Sequence, residues 1–110
     1  MRTQEQRAEQ RSSVSRRGTL KSGELWFPCL VQDMSKQGFF LVSNREHSVG
    51  QSLELRCALY PEKHLECKVE VRHVNEMGIG AQIVEIDQKG IDLCQLYLQE
   101  QYSDRLNRSG

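Results

Sequence analysis

The pattern of apolar and polar positions divides this chain into three textures. From residue 1 to 17, "MRTQEQRAEQRSSVSRR", only Met1, Ala8 and Val14 are apolar, too few to build a core. "QEQRAEQR" has helix propensity but no apolar stripe, which predicts a fluctuating arm. From Thr19 onward the period becomes two. Thr19 and Leu20 lead into the turn "KSGE", and "LWFPCLV" follows as a strand in which Pro28 marks an edge or a bulge. "FFLVS" is the next strand, and "NREHSVGQ" is a polar connection. "SLELRCALY" then alternates through Leu53, Leu55, Cys57 and Leu59. After the turn "PEKH", "LECKVEVRHV" alternates through Leu65, Cys67, Val69 and Val71, and "NEMG" turns the chain into "IGAQIVEI". Five or six short strands at regular spacing predict a small antiparallel barrel or sandwich. From Ile91 the texture changes again: Ile91, Cys94 and Leu98, with Leu93 and Leu96, fit one face of a helix that Asp87 and Gly90 introduce. "SDRLNRSG" after Tyr102 reads as a frayed end.

At 110 residues there is room for one modest core and a tail. Fifteen basic and fifteen acidic residues cancel, so net charge argues for neither nucleic-acid polymer nor membrane binding. Their distribution says more. Within the first 21 residues Arg2, Arg7, Arg11, Arg16, Arg17 and Lys21 face only Glu5 and Glu9, which favours an anionic partner near the N-terminus. No apolar run reaches the ~20 residues of a membrane span, and the N-terminus lacks the apolar segment of a secretory signal; the expectation is a cytoplasmic protein. Cys29, Cys57, Cys67 and Cys94 are far apart without a CxxC and read as reduced, buried thiols. His64 and Cys67, with His47 and His73 elsewhere, match no paired-ligand spacing, so no metal is expected. With no nucleophile and base pair or paired acids either, an enzyme is not expected.

The stretch "QDMSKQGFFLVS" carries the remaining chemistry. Asp33 and Ser35 at the head of a turn bond backbone N–H groups, and Gly38 can supply the positive φ that ends it. The same loop presents a carboxylate, a hydroxyl and bare amides on one rim, which suits a polar planar ligand such as guanine. Upstream stands Arg7-x-x-x-Arg11. This order, RxxxR and then DxSxxG, followed by strands, "GIGAQIVEID" and a terminal helix, resembles the PilZ domain family of bacterial cyclic di-GMP receptors over nearly the whole chain.

The resemblance implies a six-stranded antiparallel β-barrel with a C-terminal α-helix and a flexible N-terminal arm that folds over the ligand. The arm would comprise residues 1–12, the barrel and helix 13–102, and the frayed tail 103–110. It implies no enzyme activity and no cofactor beyond cyclic di-GMP as ligand, together with an unidentified protein effector in motility or biofilm regulation and a monomer or weak dimer. Arg7, Arg11, Asp33, Ser35 and Gly38 are the implied ligand contacts. Arginine's planar donors fit phosphate oxygens and the O6/N7 edge of guanine, and Asp33 can accept from guanine N1–H and N2–H₂. Arg16, Arg17, His73 and Gly80 are further candidate contacts, His73 because some members carry a flat side chain there that packs on the ligand. Gln6 stands where an arginine accompanies an intercalated ligand dimer, which favours one ligand per chain.

Blander readings stand beside these. Arg7 and Arg11 could be a solvated tail paired to Glu5 or Glu9, Asp33 to Gly38 a plain turn, and His73 an ordinary surface or core histidine. Trp26, Phe27, Phe39 and Phe40 read as barrel wall, since no basic residues interleave with them. Two other functions compete with the receptor: a PilZ-like adaptor that binds only proteins, and an unrelated small barrel that binds RNA or single-stranded DNA.

Overall fold

The computed structural model describes the backbone of residues 12–109 and the side chains of 13–101; Gln6, Arg7 and Arg11 lie outside the described residues. Six antiparallel strands follow one another: β1 (Ser12–Ser22), β2 (Leu25–Met34), β3 (Gly38–Ser43), β4 (Ser52–Tyr60), β5 (Lys63–Asn75) and β6 (Gly78–Ile86), and then the helix α1 (Gln88–Ser109). They close into a barrel in the order β1-β2-β3-β6-β5-β4. The alternation seen in the sequence is the reason. Leu53, Leu55, Cys57 and Leu59 of β4 and Leu65, Cys67, Val69 and Val71 of β5 all point inward and are buried, while the residues between them face out. Closure removes the free edges that a small sheet would otherwise expose.

Turn chemistry agrees with the boundaries. Asn75 Oδ1 accepts from the backbone N–H of Met77 at 2.7 Å and of Gly78 at 3.1 Å, fixing the β5–β6 hairpin. Pro28 occupies the first half of β2, which pairs with β1 but lies before the β2–β3 ladder begins at Cys29 and Ser43. Its missing N–H therefore breaks no bond to β3. The β3–β4 connection lies along this half-edge: the His47 ring stacks on Phe27 at 5.7 Å and the Arg45 guanidinium lies 5.2 Å from the same ring.

The helix begins where Asp87 Oδ1 accepts the Gly90 N–H at 2.8 Å, an N-cap bond that satisfies one of the orphan donors of the first turn. It continues to Ser109, past the Tyr102 boundary drawn from the sequence. No glycine or proline interrupts it between Ile91 and Gly110, and a polar stretch without a breaker can extend a helix already nucleated by packing. Cys94, Tyr97 and Leu98 join the barrel core, with Leu93, Val14 and Tyr60 packed at its border. Burying such side chains contributes roughly 1.5–3 kcal/mol each. All four cysteines are buried, free thiols, and desolvation raises Cys29 and Cys67 to a pKa of about 12 and Cys57 and Cys94 to about 11.

A groove on the barrel flank

Among the described residues the ladders shift register at five places, and two of these bulges face one groove. In β2, Val31 is opposite Leu41 and Asp33 is opposite Phe40, so Gln32 is the extra residue. In β5, Val71 is opposite Ala81 and His73 is opposite Gly80, so Arg72 has no partner of its own. A bulge breaks the strict in-and-out alternation and re-aims side chains locally. Gln32 and Asp33 thus stand together between the buried Val31 and Met34, and Arg72 and His73 are both exposed directly after buried Val71. The groove between these strands has a volume of about 460 Å³, and Asp33, Gly38, Phe40, Arg72, His73 and Gly80 all line it.

Its rim is built by the β2–β3 loop. Ser35 is fully buried, and its Oγ accepts the N–H groups of Gln37 at 3.2 Å and Gly38 at 3.3 Å, while the Ser35 N–H donates to Gly38 O at 2.9 Å. Ser35 therefore shapes the loop with its hydroxyl turned to the backbone. Gly38 differs from expectation: its φ is not among the positive values, which among glycines belong to Gly23, Gly50 and Gly78. Glycine is required here by close approach, since a Cβ would sit 2.1 Å from Ala81 O of β6. Across the groove, a Cβ on Gly80 would meet the His73 ring at 2.1 Å. The imidazole lies directly over the bare backbone, tilted toward Phe40 at a centroid distance of 6.4 Å.

Arg16 and Arg17 do not line this groove. A separate bulge, between Ser13 and Arg16 with Ser15 at φ 54°, lies in β1. Arg16 Nε donates to Tyr97 Oη at 3.3 Å, and the guanidinium stands 5.7 Å from that ring. That bond, with the phenol's charge interaction, raises the Arg16 pKa further. Arg16 thus joins β1 to the helix. Tyr60 stacks edge-on against Tyr97 at 5.7 Å and donates to Glu100; desolvation first, and then this bond, push its pKa up to about 12.

Of the residues singled out in the sequence, Asp33, Ser35, Gly38, His73 and Gly80 come together. Arg72 was not among them, although a signal was present. The inward series Leu65, Cys67, Val69, Val71 calls for an apolar residue at 73 and meets histidine instead, as the series Phe27, Cys29, Val31 meets Asp33. An alternation that slips by one residue is the mark of a bulge. Among the described residues no cluster of three His, Cys, Asp or Glu could hold a metal ion, and no helix is long and apolar enough to cross a membrane.

The family model described as PilZ domain matches residues 5–100. The chain belongs to the PilZ domain family. The match takes in both Arg7-x-x-x-Arg11 and the loop of Asp33, Ser35 and Gly38. Among solved structures, this PilZ chain is similar to the Bacillus subtilis inhibitor of motility MotI/DgrA, with a TM-score of 0.75 and 19% identity over 94% of this chain. The match spans 52% of that protein, about half its length. No match was found among curated proteins. Membership makes this PilZ chain a member of a family of binding and regulatory domains linked to cyclic di-GMP.

Proposed function

We propose that this protein is a receptor for cyclic di-GMP. It would bind the nucleotide on the barrel flank, close Arg7 and Arg11 over it, and present the changed surface to a protein effector in the cytoplasm. The observation that carries the reading is the groove itself, which joins the motif residue Asp33 of β2 to Arg72 and His73 of β5 across β3 and β6. Asp33 offers an acceptor for guanine N1–H and N2–H₂, the His73 ring offers a flat face, and arginines suit the phosphates. Ser35 and Gly38 act through the rim, one by bonding the loop and the other by letting β3 approach β6. The chemistry is that of binding, and no catalytic step is assigned. The structural neighbour's name, inhibitor of motility, makes motility control the first output to examine. We place the protein as a monomer or weak dimer with one ligand per chain.

Titration calorimetry with cyclic di-GMP tests the reading. Micromolar or tighter affinity, roughly −8 kcal/mol, is expected, and ligand at about a hundred times its Kd should stabilise the fold by roughly 2.7 kcal/mol. GTP and GMP should bind far more weakly, since neither presents two phosphates closed into a ring. Absence of heat together with an unmoved thermal melt would overturn the receptor reading and leave the protein adaptor. Affinity for any oligonucleotide that falls steeply with salt would support the nucleic-acid alternative.

A further inference from the structure

The groove contains a cation that belongs to neither sequence motif. Among the described residues lining it, Asp33 is the one carboxylate and Arg72 the one permanent cation, and they stand on different strands. Arg72 is held at the bulge of β5 directly after Val71, which is fully buried, so its backbone is fixed by the barrel. Among the described residues its one ion pair is with Glu70, at 3.8 Å, and half of its side chain is exposed. A pair so long and so wet contributes between nothing and about 1 kcal/mol, and a ligand anion can replace it at little cost. A surface arginine that served Glu70 alone would need no bulge, because residues 70 and 72 already share a face of a regular strand. What the bulge adds is the side-by-side projection of Arg72 and His73 into one groove.

We infer that Arg72 binds a phosphate of the nucleotide and forms, with Asp33, a two-point charge gauge that accepts a ligand carrying a hydrogen-bond-donor edge at one end and an anion at the other. This rests on the cyclic di-GMP reading above and deepens it. A guanine nucleotide satisfies both points, with its N1–H and N2–H₂ edge on Asp33 and a phosphodiester oxygen on the Arg72 fork. Being part of a strand, Arg72 is preorganised and loses less conformational freedom on binding than a cation recruited from a flexible segment.

The test is calorimetry of the full chain with cyclic di-GMP for the wild type, Arg72→Ala and Arg72→Lys, each at low and high salt. Arg72→Ala should weaken binding by tenfold or more, the scale of one charge-assisted hydrogen bond, and leave the melting temperature of the free protein unchanged. Arg72→Lys should recover part of the loss, since it keeps the charge but not the fork. Affinity of the wild type should fall more with salt than that of Arg72→Ala, because a screened attraction has been removed. Equal affinity of Arg72→Ala and wild type would overturn the inference and leave the receptor reading standing, whereas a wild type that does not bind would overturn both. A loss of affinity that comes with a lower melting temperature and an unchanged salt response would make Arg72 a structural residue, and would also overturn it.

Discussion

Replacing Gly38 with alanine tests whether the loop motif serves the barrel as well as the ligand. The new Cβ would stand 2.1 Å from Ala81 O and 3.1 Å from both Ala81 C and Gln82 Cα, all backbone atoms of β6. No flexible side chain can swing away, so β3 and β6 must part by roughly 1.3 Å to restore ordinary contact. Overpacking of this kind costs about 1–3 kcal/mol. The displacement also strains the bond from the Ser35 N–H to Gly38 O and that from the Ile83 N–H to Gln37 O, at 2.9 and 2.8 Å, each worth about 1 kcal/mol. A total of roughly 3–5 kcal/mol is a large share of the 5–15 kcal/mol typical of a domain. At ~4–8 °C per kcal/mol for a domain near this size, the melting temperature should fall by more than about 12 °C. Gly23→Ala is the control: its φ is +62° with nothing near the added carbon, so only the left-handed strain of about 1–2 kcal/mol applies. Thermal denaturation followed by circular dichroism reads both variants. A Gly38→Ala protein no less stable than Gly23→Ala would refute the steric argument.

Three further predictions concern other parts of the molecule. Gly80→Ala places its Cβ against an exposed imidazole that can rotate aside, so stability should change by about 1 kcal/mol or less while cyclic di-GMP affinity drops; a large fall in melting temperature without loss of affinity would contradict this. Arg7→Ala and Arg11→Ala should each remove roughly 1.5–3 kcal/mol of binding energy with little change in the melt of the free protein. Tight binding retained by both variants would refute the motif assignment. Stability should fall as pH rises above about 9, because the folded state keeps the four thiols neutral up to a pKa of about 11 or 12 whereas the unfolded chain releases those protons near the ordinary thiol pKa of 9.0. The contribution is complete below the unfolded pKa and is lost at up to about 1.4 kcal/mol per thiol per pH unit above it. Urea midpoints that stay level from pH 8 to 10.5 would argue against buried thiols.

The strand pattern was legible because β4 and β5 obey alternation without interruption from Leu53 to Leu59 and from Leu65 to Val71. Each inward residue reports its own burial, and the polar partners report the outer face. The motif loop was legible because turn chemistry and ligand chemistry select the same residue types at Asp33, Ser35 and Gly38. The division of labour within it was not. Whether Ser35 turns its hydroxyl to the backbone, or Gly38 is required by φ or by proximity to Ala81, depends on the partner strand β6, more than forty residues downstream. Arg72 was harder to read for a related reason: by period two it is one more solvated residue beside Glu70, and the slip shows in the sequence only as a histidine where the inward series calls for an apolar residue, which the pairing of His73 with Gly80 explains. The helix end was misjudged because composition after Tyr102 is polar, and polarity alone does not stop a helix that packing has already started.

The bulges also determine which changes in chain length the fold can absorb. Removing Gln32 from β2 would leave Val31, Asp33 and Met34 in regular succession, with Val31 and Met34 still inward. Removing Arg72 would likewise leave β5 in step with β6 up to Val71 and onward from His73. Elsewhere in these strands the loss of one residue turns every subsequent side chain to the wrong face. Gln32 and Arg72 are therefore two positions at which a single codon can be lost without scrambling the interior, and both bulges open onto the groove. Binding preference could in this way diverge between descendants of this chain through single-residue deletions, a kind of change that strands usually forbid.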